Sequence, residues 1–372
     1  FFLEATFLGV MLFGWQRVGR KLHFVATCCV AVGTSISAFW ILAANSWMQT
    51  PQGYAIDEGG KFYATNFMEV IFNPSFPSRY VHMMLAAFIT TAAVILAAGA
   101  WQTLKKHQQE PTRMQMRLAA MTLLILMPLQ IAAGHWSGEV AHHYQPAKVA
   151  AIEGWWETKS DQATILFAIP DEETRTNKFE LAIPGVGNAI MGVPKDEVIQ
   201  GLNDFEGEHP PVFIVFWAFR IMVGCGMILL GLGAWGMWKW WRGSIDKPGL
   251  FHWAAVGGGS LGFIAVITGW IVTEVGRQPF TVYGVLRTED SLSPVSAGQV
   301  ATSLLVFMTV YAIIFTAGVI YMFRIATAGF NDKPTAPPKV ERRAPGSPLG
   351  SVDDKAEPEK PSPEPIHREE SD

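Results

Sequence analysis

The sequence predicts an all-α polytopic membrane protein: a helical bundle with six complete transmembrane helices, one partial helix and a folded outer loop. Half of its 372 residues are hydrophobic and only 16% are charged, with 14 Trp and 24 Phe, which is typical of membrane proteins. The chain also holds six long segments in which charged residues are rare or absent. Each can supply the roughly 20 mostly apolar residues that a spanning helix needs.

These segments give the spanning helices in chain order. They cover residues 24–56, 81–104, 118–138, 221–238, 248–273 and 291–323, the fourth extended back through Arg220 to Pro211. Residues 1–15 have the length of half a spanning helix and lack the basic start of a signal peptide. We therefore expect further sequence upstream of Phe1.

The charges of the connecting segments predict the orientation. The loops around 16–23, 105–117 and 239–247 are rich in Lys and Arg. By the positive-inside rule these loops are cytoplasmic. The segments 46–78, 135–210 and 275–297 then lie on the opposite, outer side of the membrane.

Two segments outside the helices differ in character. Residues 135–210 contain 13 Asp or Glu against 5 Lys or Arg, together with Trp155, Trp156 and Phe167, and predict a folded functional loop. Residues 331–372 contain nine Pro and seventeen charged residues, and predict a disordered cytoplasmic tail. The chain thus divides into a transmembrane domain at 1–330 and a tail at 331–372.

Several side chains are costly to keep in a membrane. Glu274 ends the uncharged run 248–273, and a carboxylate there needs a partner, a metal or a proton pathway. Arg277 follows three residues later. His82 opens the second helix and is either an interfacial histidine bonded to a carbonyl or water, or an axial haem ligand.

The helix that starts near Pro211 carries two further candidates. Arg220 needs an anion, such as a carboxylate side chain or a haem propionate. Met222 on its own is more typical of a packing residue. With the predicted orientation, His82, Met222 and Glu274 all fall in the outer half of the membrane, which a single outer-side redox site would require.

The sequence allows two interpretations for the role of each of three more residues. Glu4 is either an interfacial glutamate or a proton-relay carboxylate. Lys148 and Glu153 lie five residues apart, so on a helix they point about 140° apart and need not form a local pair. They belong either to a solvated helical stretch or to a polar pair that binds the head group of an amphiphile, with the carboxylate accepting its proton.

Several of these stretches together closely resemble subunit I of the cytochrome bd-type quinol oxidases of bacterial respiratory membranes. They occur in the family's order and comprise Phe1–Glu4, Phe39–Gln49, Lys148–Glu153, Asn177–Glu180, Phe219–Met222 and Gly276-Arg-Gln-Pro279. The last of them is the family's most recognisable signature. The resemblance covers residues 1 to about 325.

The resemblance implies a role for each candidate residue. His82 and Met222 would be the axial ligands of a low-spin b haem, with Arg220 close to it. Glu274 would ligate a high-spin b haem, and Arg277 would neutralise haem propionates or Glu274. Trp270 belongs to the same cofactor-binding set. Lys148 and Glu153 would bind quinol, while Glu4 and Ser37 would lie on the proton route to the oxygen-reducing haem.

The resemblance also implies a reaction and its partners. Quinol, either ubiquinol or menaquinol, would be oxidised and O2 reduced to water, generating a proton motive force without pumping. A third high-spin haem of d or b type, subunit II and a small single-helix subunit would complete the enzyme in the bacterial inner membrane, with the quinol loop periplasmic and no role for nucleic acid. Upstream sequence would supply a haem-ligating histidine, and the short loop after Asn177 is typical of the branch that includes cyanide-insensitive oxidases.

Two other classes are open on the residues alone. A haem-free secondary transporter would also carry intramembrane charges, but such proteins tend to show inverted repeats and broken helices. A non-catalytic assembly subunit would keep the helices without needing the ligands. The joint presence of His82, Met222, Glu274, Lys148 and Glu153 favours the oxidase.

Overall fold

The computed structural model describes residues 2–14, 17–105 and 110–328. Its helices are α1 (Phe2–Phe13), α2 (Arg20–Gln49), α3 (Phe67–Ile71), α4 (Phe76–Leu104), α5 (Glu110–Tyr144), α6 (Pro146–Glu153), α7 (Gly187–Ile190), α8 (Val212–Trp241), α9 (Leu250–Gly258), α10 (Leu261–Val275) and α11 (Ala297–Ala328). Its strands are β1 (Tyr54–Ile56), β2 (Phe62–Ala64), β3 (Thr164–Asp171), β4 (Thr176–Ile183), β5 (Phe280–Val282) and β6 (Leu286–Arg287). The predicted tail at 331–372 and part of the 105–117 loop lie outside the described residues.

Six spans in the described part of the chain are long and apolar enough to cross a membrane, which confirms the predicted fold class. They are α2, α4, α5, α8, α9 continued by α10, and α11. The shorter α1 packs along α2. The strands described form three separate antiparallel hairpins, β1–β2, β3–β4 and β5–β6, and β3 contributes Ile165 and Ala168 to a small apolar cluster outside the main core.

The main apolar core lies where α4, α5, α8 and α9 meet. Close helix approaches depend on glycine at two points. A Cβ on Gly262 of α10 would lie 2.7 Å from the Cα of Thr90 on α4, and one on Gly259 would lie 2.7 Å from the Cβ of Ala97. These glycines let the fifth span pack directly on α4. The low helix propensity of the glycines at 257–259 also explains the break between α9 and α10 at 259–260.

One end of the bundle carries most of the non-helical structure. This loop end is where α2, α5 and α10 finish and where α4 and α8 begin. The predicted folded loop is present there, but it starts ten residues later than predicted because α5 continues to Tyr144. The polar residues after 135 stay helical until Gln145, which precedes Pro146, and a residue before proline is disfavoured in helical geometry.

Candidate functional site

The carboxylate of Glu274 lies in the last turn of α10, at the loop end. Asn45 of α2 donates from Nδ2 to its Oε1 at 2.8 Å, and Arg277 donates to its Oε2 at 2.7 Å. Arg79 of α4 bonds the Oδ1 of Asn45 and also donates to Ser46 Oγ at 3.2 Å. The carboxylate is thus held by residues from α2 and from the turn after α10, and α4 supports them.

Lys148 of α6 reaches the same region from the folded loop. Its buried ammonium donates to Gln49 Oε1 at 2.5 Å and to Gln145 Oε1 at 2.6 Å. Its stem lies against Gly276, where an added Cβ would come within 3.2 Å of the lysine Cε. The signature glycine therefore leaves room for the lysine of the loop.

Gln49 joins these elements, although the sequence did not single it out. It is buried, donates from Nε2 to the carbonyl of Thr273 at 3.3 Å, and accepts bonds from Lys148 and from Gln145 at 3.0 Å. A neutral amide at the end of an apolar helix carries no charge to mark it. The available signal was the stretch Phe39–Gln49 that carries the family resemblance and ends at this residue. A cleft of about 100 Å³ beside it is lined by Gln49, Thr50, Pro51, Gln52, Tyr144 and Tyr283.

Burial shapes the protonation of the cations in this cluster. Burial lowers the pKa of Lys148 well below its usual range; Arg79 and Arg277 lower it further, and Glu274 opposes them. Burial also lowers the pKa of Arg277, against the opposing effect of Glu274. Two arginines and a lysine with a depressed pKa thus lie within electrostatic range of the Glu274 carboxylate, so an additional anionic group would be favoured there.

Glu153 lies at the other end of α6 and faces a different neighbour. Burial raises its pKa to about 7, and the nearby Arg220 opposes that shift. Arg220 donates to the carbonyls of Ile152 at 2.7 Å and Phe216 at 3.0 Å, and also bonds the carbonyl of Ile165 in β3. The arginine predicted to need an anion is thus partnered by three carbonyls, with one carboxylate close enough to influence it.

The structure does not bring Lys148 and Glu153 together as a pair. Within the described residues their partners are separate: Lys148 bonds Gln49 and Gln145, whereas Glu153 interacts electrostatically with Arg220. The five-residue spacing on α6 accounts for this separation, because it turns the two side chains about 140° apart.

The predicted axial ligands each lie against a glycine of a neighbouring helix. A Cβ on Gly134 of α5 would lie 3.2 Å from the His82 ring, and a Cβ on Gly269 of α10 would lie 3.0 Å from Met222 Sδ. His82 Nε2 lies 3.1 Å from Gln130 Nε2. Both candidate side chains are half-buried and fit where a larger neighbour would displace them.

The remaining predicted residues, Glu4, Ser37 and Trp270, lie on or beside α2. Glu4 of α1 approaches α2 at Gly33, where an added Cβ would lie 3.2 Å from the glutamate Cβ. Ser37 is one turn further along α2, and Asn45 follows two turns later. Glu4 is thus about 18 Å along α2 from the residue that binds Glu274, at about 1.5 Å per residue. Trp270 packs on the small apolar cluster between α2 and α4.

Comparisons with known proteins identify the family. The family model described as "Cytochrome bd terminal oxidase subunit I" matches residues 1–330. The chain belongs to this family. It is 32% identical over 326 residues to cytochrome bd ubiquinol oxidase subunit 1 of Bacillus subtilis (strain 168), covering 84% of this chain and 69% of that protein.

Other relatives agree. The chain is 31% identical over 399 residues to cytochrome bd-II ubiquinol oxidase subunit 1 of Escherichia coli (strain K12), covering 88% of this chain and 77% of that protein. The solved bd oxidase of Geobacillus thermodenitrificans superposes with a TM-score of 0.75 at 32% identity, covering 87% of this chain and 74% of that one.

Membership of the cytochrome bd family establishes the activity. The protein is a multi-pass membrane subunit of a terminal quinol oxidase, a quinol:oxygen oxidoreductase of the respiratory chain. The family carries haem, uses quinol and O2, and pairs this subunit with a subunit II. The match favours the oxidase over a haem-free transporter or an assembly subunit.

The residues at the loop end fit haem groups. The Nδ1 of His82 and the Nε and NH1 atoms of Arg277 are buried without a hydrogen-bond partner among the described residues. Imidazole and thioether side chains are common axial ligands of haem iron. Guanidinium groups with free donors suit carboxylates such as haem propionates. The donor set therefore matches the cofactor that the family requires.

Proposed function

We propose that quinol is oxidised around α6, and that this short helix links two haem sites. One site would be a low-spin b haem held by His82 and Met222. The other would be a high-spin b haem held by Glu274, next to a third high-spin haem of d or b type. The proposal rests mainly on α6 itself, whose Lys148 packs on Gly276 and whose Glu153 lies near Arg220.

Arg220 and Gln49 support this assignment. Arg220 lies two residues before Met222 and donates a hydrogen bond to the Ile152 carbonyl at the end of α6. At the other end of α6, Lys148 shares Gln49 with Thr273, the residue before Glu274. Arg220 therefore bonds one end of α6 directly to α8, and Gln49 links the other end to α10; these two helices carry the proposed ligands Met222 and Glu274.

The chain's own residues would handle the protons of quinol. Glu153 would accept one, because a carboxylate with a pKa of about 7 is half ionised at neutral pH and can act as a general base. Lys148 would donate a hydrogen bond to the quinol oxygen. Bound haem supplies the one-electron chemistry that passes electrons from quinol to oxygen.

Protons for water would travel along α2. Glu4 would take them up and pass them toward Ser37, one turn further along α2. We place the loop end on the periplasmic side and residues 331–372 in the cytoplasm. Quinol would then release its protons to the periplasm while water formation takes up protons from the cytoplasm, which separates charge without pumping. Domain 1–330 would carry all haem-binding residues of this chain, with ubiquinol or menaquinol as substrate and a small single-helix subunit beside subunit II.

Met222 provides the decisive test. We expect Met222→Leu to remove or perturb the low-spin b haem and to block quinol oxidation in the assembled oxidase. Reduced-minus-oxidised spectra and oxygen uptake with quinol measure both effects. Normal spectra and normal uptake would show that Met222 is not a ligand.

A further inference from the structure

The β3–β4 hairpin of the folded loop follows the first turns of α8. Glu172, in the turn after β3, accepts a bond from the backbone N–H of Val212 at 2.7 Å. Phe167 contacts Trp217 edge to face, with ring centroids 5.1 Å apart. The Ile165 carbonyl is bound by Arg220, whose guanidinium folds back one turn to the Phe216 carbonyl. The strand therefore descends alongside α8 from Val212 to the level of residues 216–217.

These contacts set the tilt of the strand. From Ile165 to Glu172 an extended chain covers about 23 Å. From Val212 to Trp217 the helix rises only about 8 Å. The strand is thus about 23 Å long but advances only about 8 Å along the α8 axis. Because α8 spans the membrane, the strand lies closer to the membrane plane than to the membrane normal.

The length of α8 indicates how deep the hairpin lies in the membrane. Its 30 residues extend for about 45 Å, whereas the hydrocarbon core is about 30 Å thick. Trp238, Lys239 and Trp240 mark the interface at the far end. Twenty residues counted back from Trp238 reach Phe219, so residues 212–218 fall in the head-group layer. The hairpin lies at that depth.

Ile165 and Ala168 of the hairpin pack inward, but several of its larger apolar side chains face outward. The exposed fractions of Phe179, Leu181 and Leu166 are 80%, 61% and 50%. Interfacial elements typically combine a membrane-plane orientation with aromatic and aliphatic side chains.

Its charged side chains are largely satisfied within the protein. Lys178 pairs with Asp171 at 2.5 Å, and Arg175 pairs with Glu206 at 2.7 Å. Glu180 accepts a bond from Asn177 at 2.9 Å. These charged side chains stay exposed beside the apolar ones, but they are paired within the protein, which suits a position in the head-group layer.

From this geometry we infer that the β3–β4 hairpin is an interfacial lipid-binding element, with Phe179 and Leu181 inserted among the lipid acyl chains beside α8. Phe213 and Ile214 of α8 are exposed at the same level, and Phe213 lies one turn from Trp217, on which Phe167 of the hairpin packs. Exposed apolar side chains at this level of a spanning helix face lipid, so lipid is the occupant beside the hairpin as well. The hairpin would therefore lie within the membrane surface rather than project into water.

Site-directed spin labelling tests this placement. A nitroxide would be attached at Phe179→Cys or Leu181→Cys in a background where Cys28, Cys29 and Cys225 are replaced by Ser. The assembled oxidase would be reconstituted in phosphatidylethanolamine–phosphatidylglycerol vesicles. Collision rates with O2, which concentrates in lipid, and with a water-soluble nickel chelate would then be measured.

Two labels on the same chain calibrate the result. Ile228→Cys lies in the exposed middle of α8 and reports hydrocarbon, whereas Glu173→Cys lies in the exposed hairpin turn and reports water. We expect O2-to-nickel ratios at Phe179 and Leu181 severalfold above that at Glu173 and below that at Ile228, because the hairpin lies at a shallower depth than the middle of α8. A ratio equal to that at Glu173 would place the face in water, and low collision with both agents would place a protein partner on it. Either result overturns the inference, and two labelled positions guard against one variant failing to fold.

Discussion

Replacing Gly269 with alanine should loosen Met222 from the haem iron that we propose it binds. The added Cβ would lie 3.0 Å from Met222 Sδ, whereas ordinary non-bonded contacts lie at about 3.5–4.0 Å. The sulfur must therefore retreat by a few tenths of an ångström. Overpacking of this kind costs about 1–3 kcal/mol.

That cost sets the size of the expected effect. A thioether ligand raises the haem potential, so a weaker Met222 bond should lower it. Since about 59 mV corresponds to a tenfold change for one electron, 3 kcal/mol is worth up to roughly 130 mV. A spectroelectrochemical titration of the low-spin b haem measures the shift directly.

Gly231→Ala is the matched control for this substitution. It lies on α8, the helix of Met222, and its Cβ would meet nothing within 4 Å. Both variants make the same gain in helix propensity, so that contribution cancels. Identical spectra and potentials in the two variants would refute the placement of Met222 against Gly269 at the haem.

Three further predictions concern protons and substrate. Glu153→Gln should slow quinol oxidation by roughly a hundredfold and abolish the rise in rate as pH passes through about 7, since the base must be ionised; retention of that rise would contradict the assignment. Gln49→Leu should raise the quinol KM by roughly tenfold, because Lys148 loses one of its two hydrogen-bond acceptors. Gln49→Glu should restore the normal KM, and the control Gln52→Leu, in the same cleft, should leave the KM unchanged. Glu4→Gln should slow oxygen reduction without altering quinol binding, and unchanged oxygen uptake would exclude Glu4 from the proton route.

The fold could be predicted because membrane solvation acts on residue type. Long runs without charge must be helical in a bilayer, where backbone groups have no water to bond. The sequence placed the spans but missed the loop boundary at Tyr144, because nothing in a hydropathy pattern distinguishes a helix that continues past the membrane. The Gln145-Pro146 step was the local signal for that boundary.

The site could be predicted only where burial is costly. Glu274 and Arg220 stand out because a charge in an apolar setting demands a partner. Lys148 does not, because its stretch of the outer loop could equally be a solvated helix. Asn45 and Gln49 bond the charged side chains of Glu274 and Lys148 but are themselves neutral. Burying a neutral amide costs less than burying a charge, so these two residues are harder to recognise in the sequence. The partners of Arg220 depend on how β3 and α6 return to the bundle, which no local pattern encodes.

The charge balance at the loop end bears on how the site is completed. Arg79, Arg277 and Lys148 are gathered around the single carboxylate of Glu274. Buried cations are stable only when anions and hydrogen bonds compensate them. Two atoms of the Arg277 guanidinium have no partner among the described residues, so compensation by this part of the chain is incomplete. Propionate groups of the proposed haem would supply the missing negative charge, which explains why so many cations converge beside one proposed ligand.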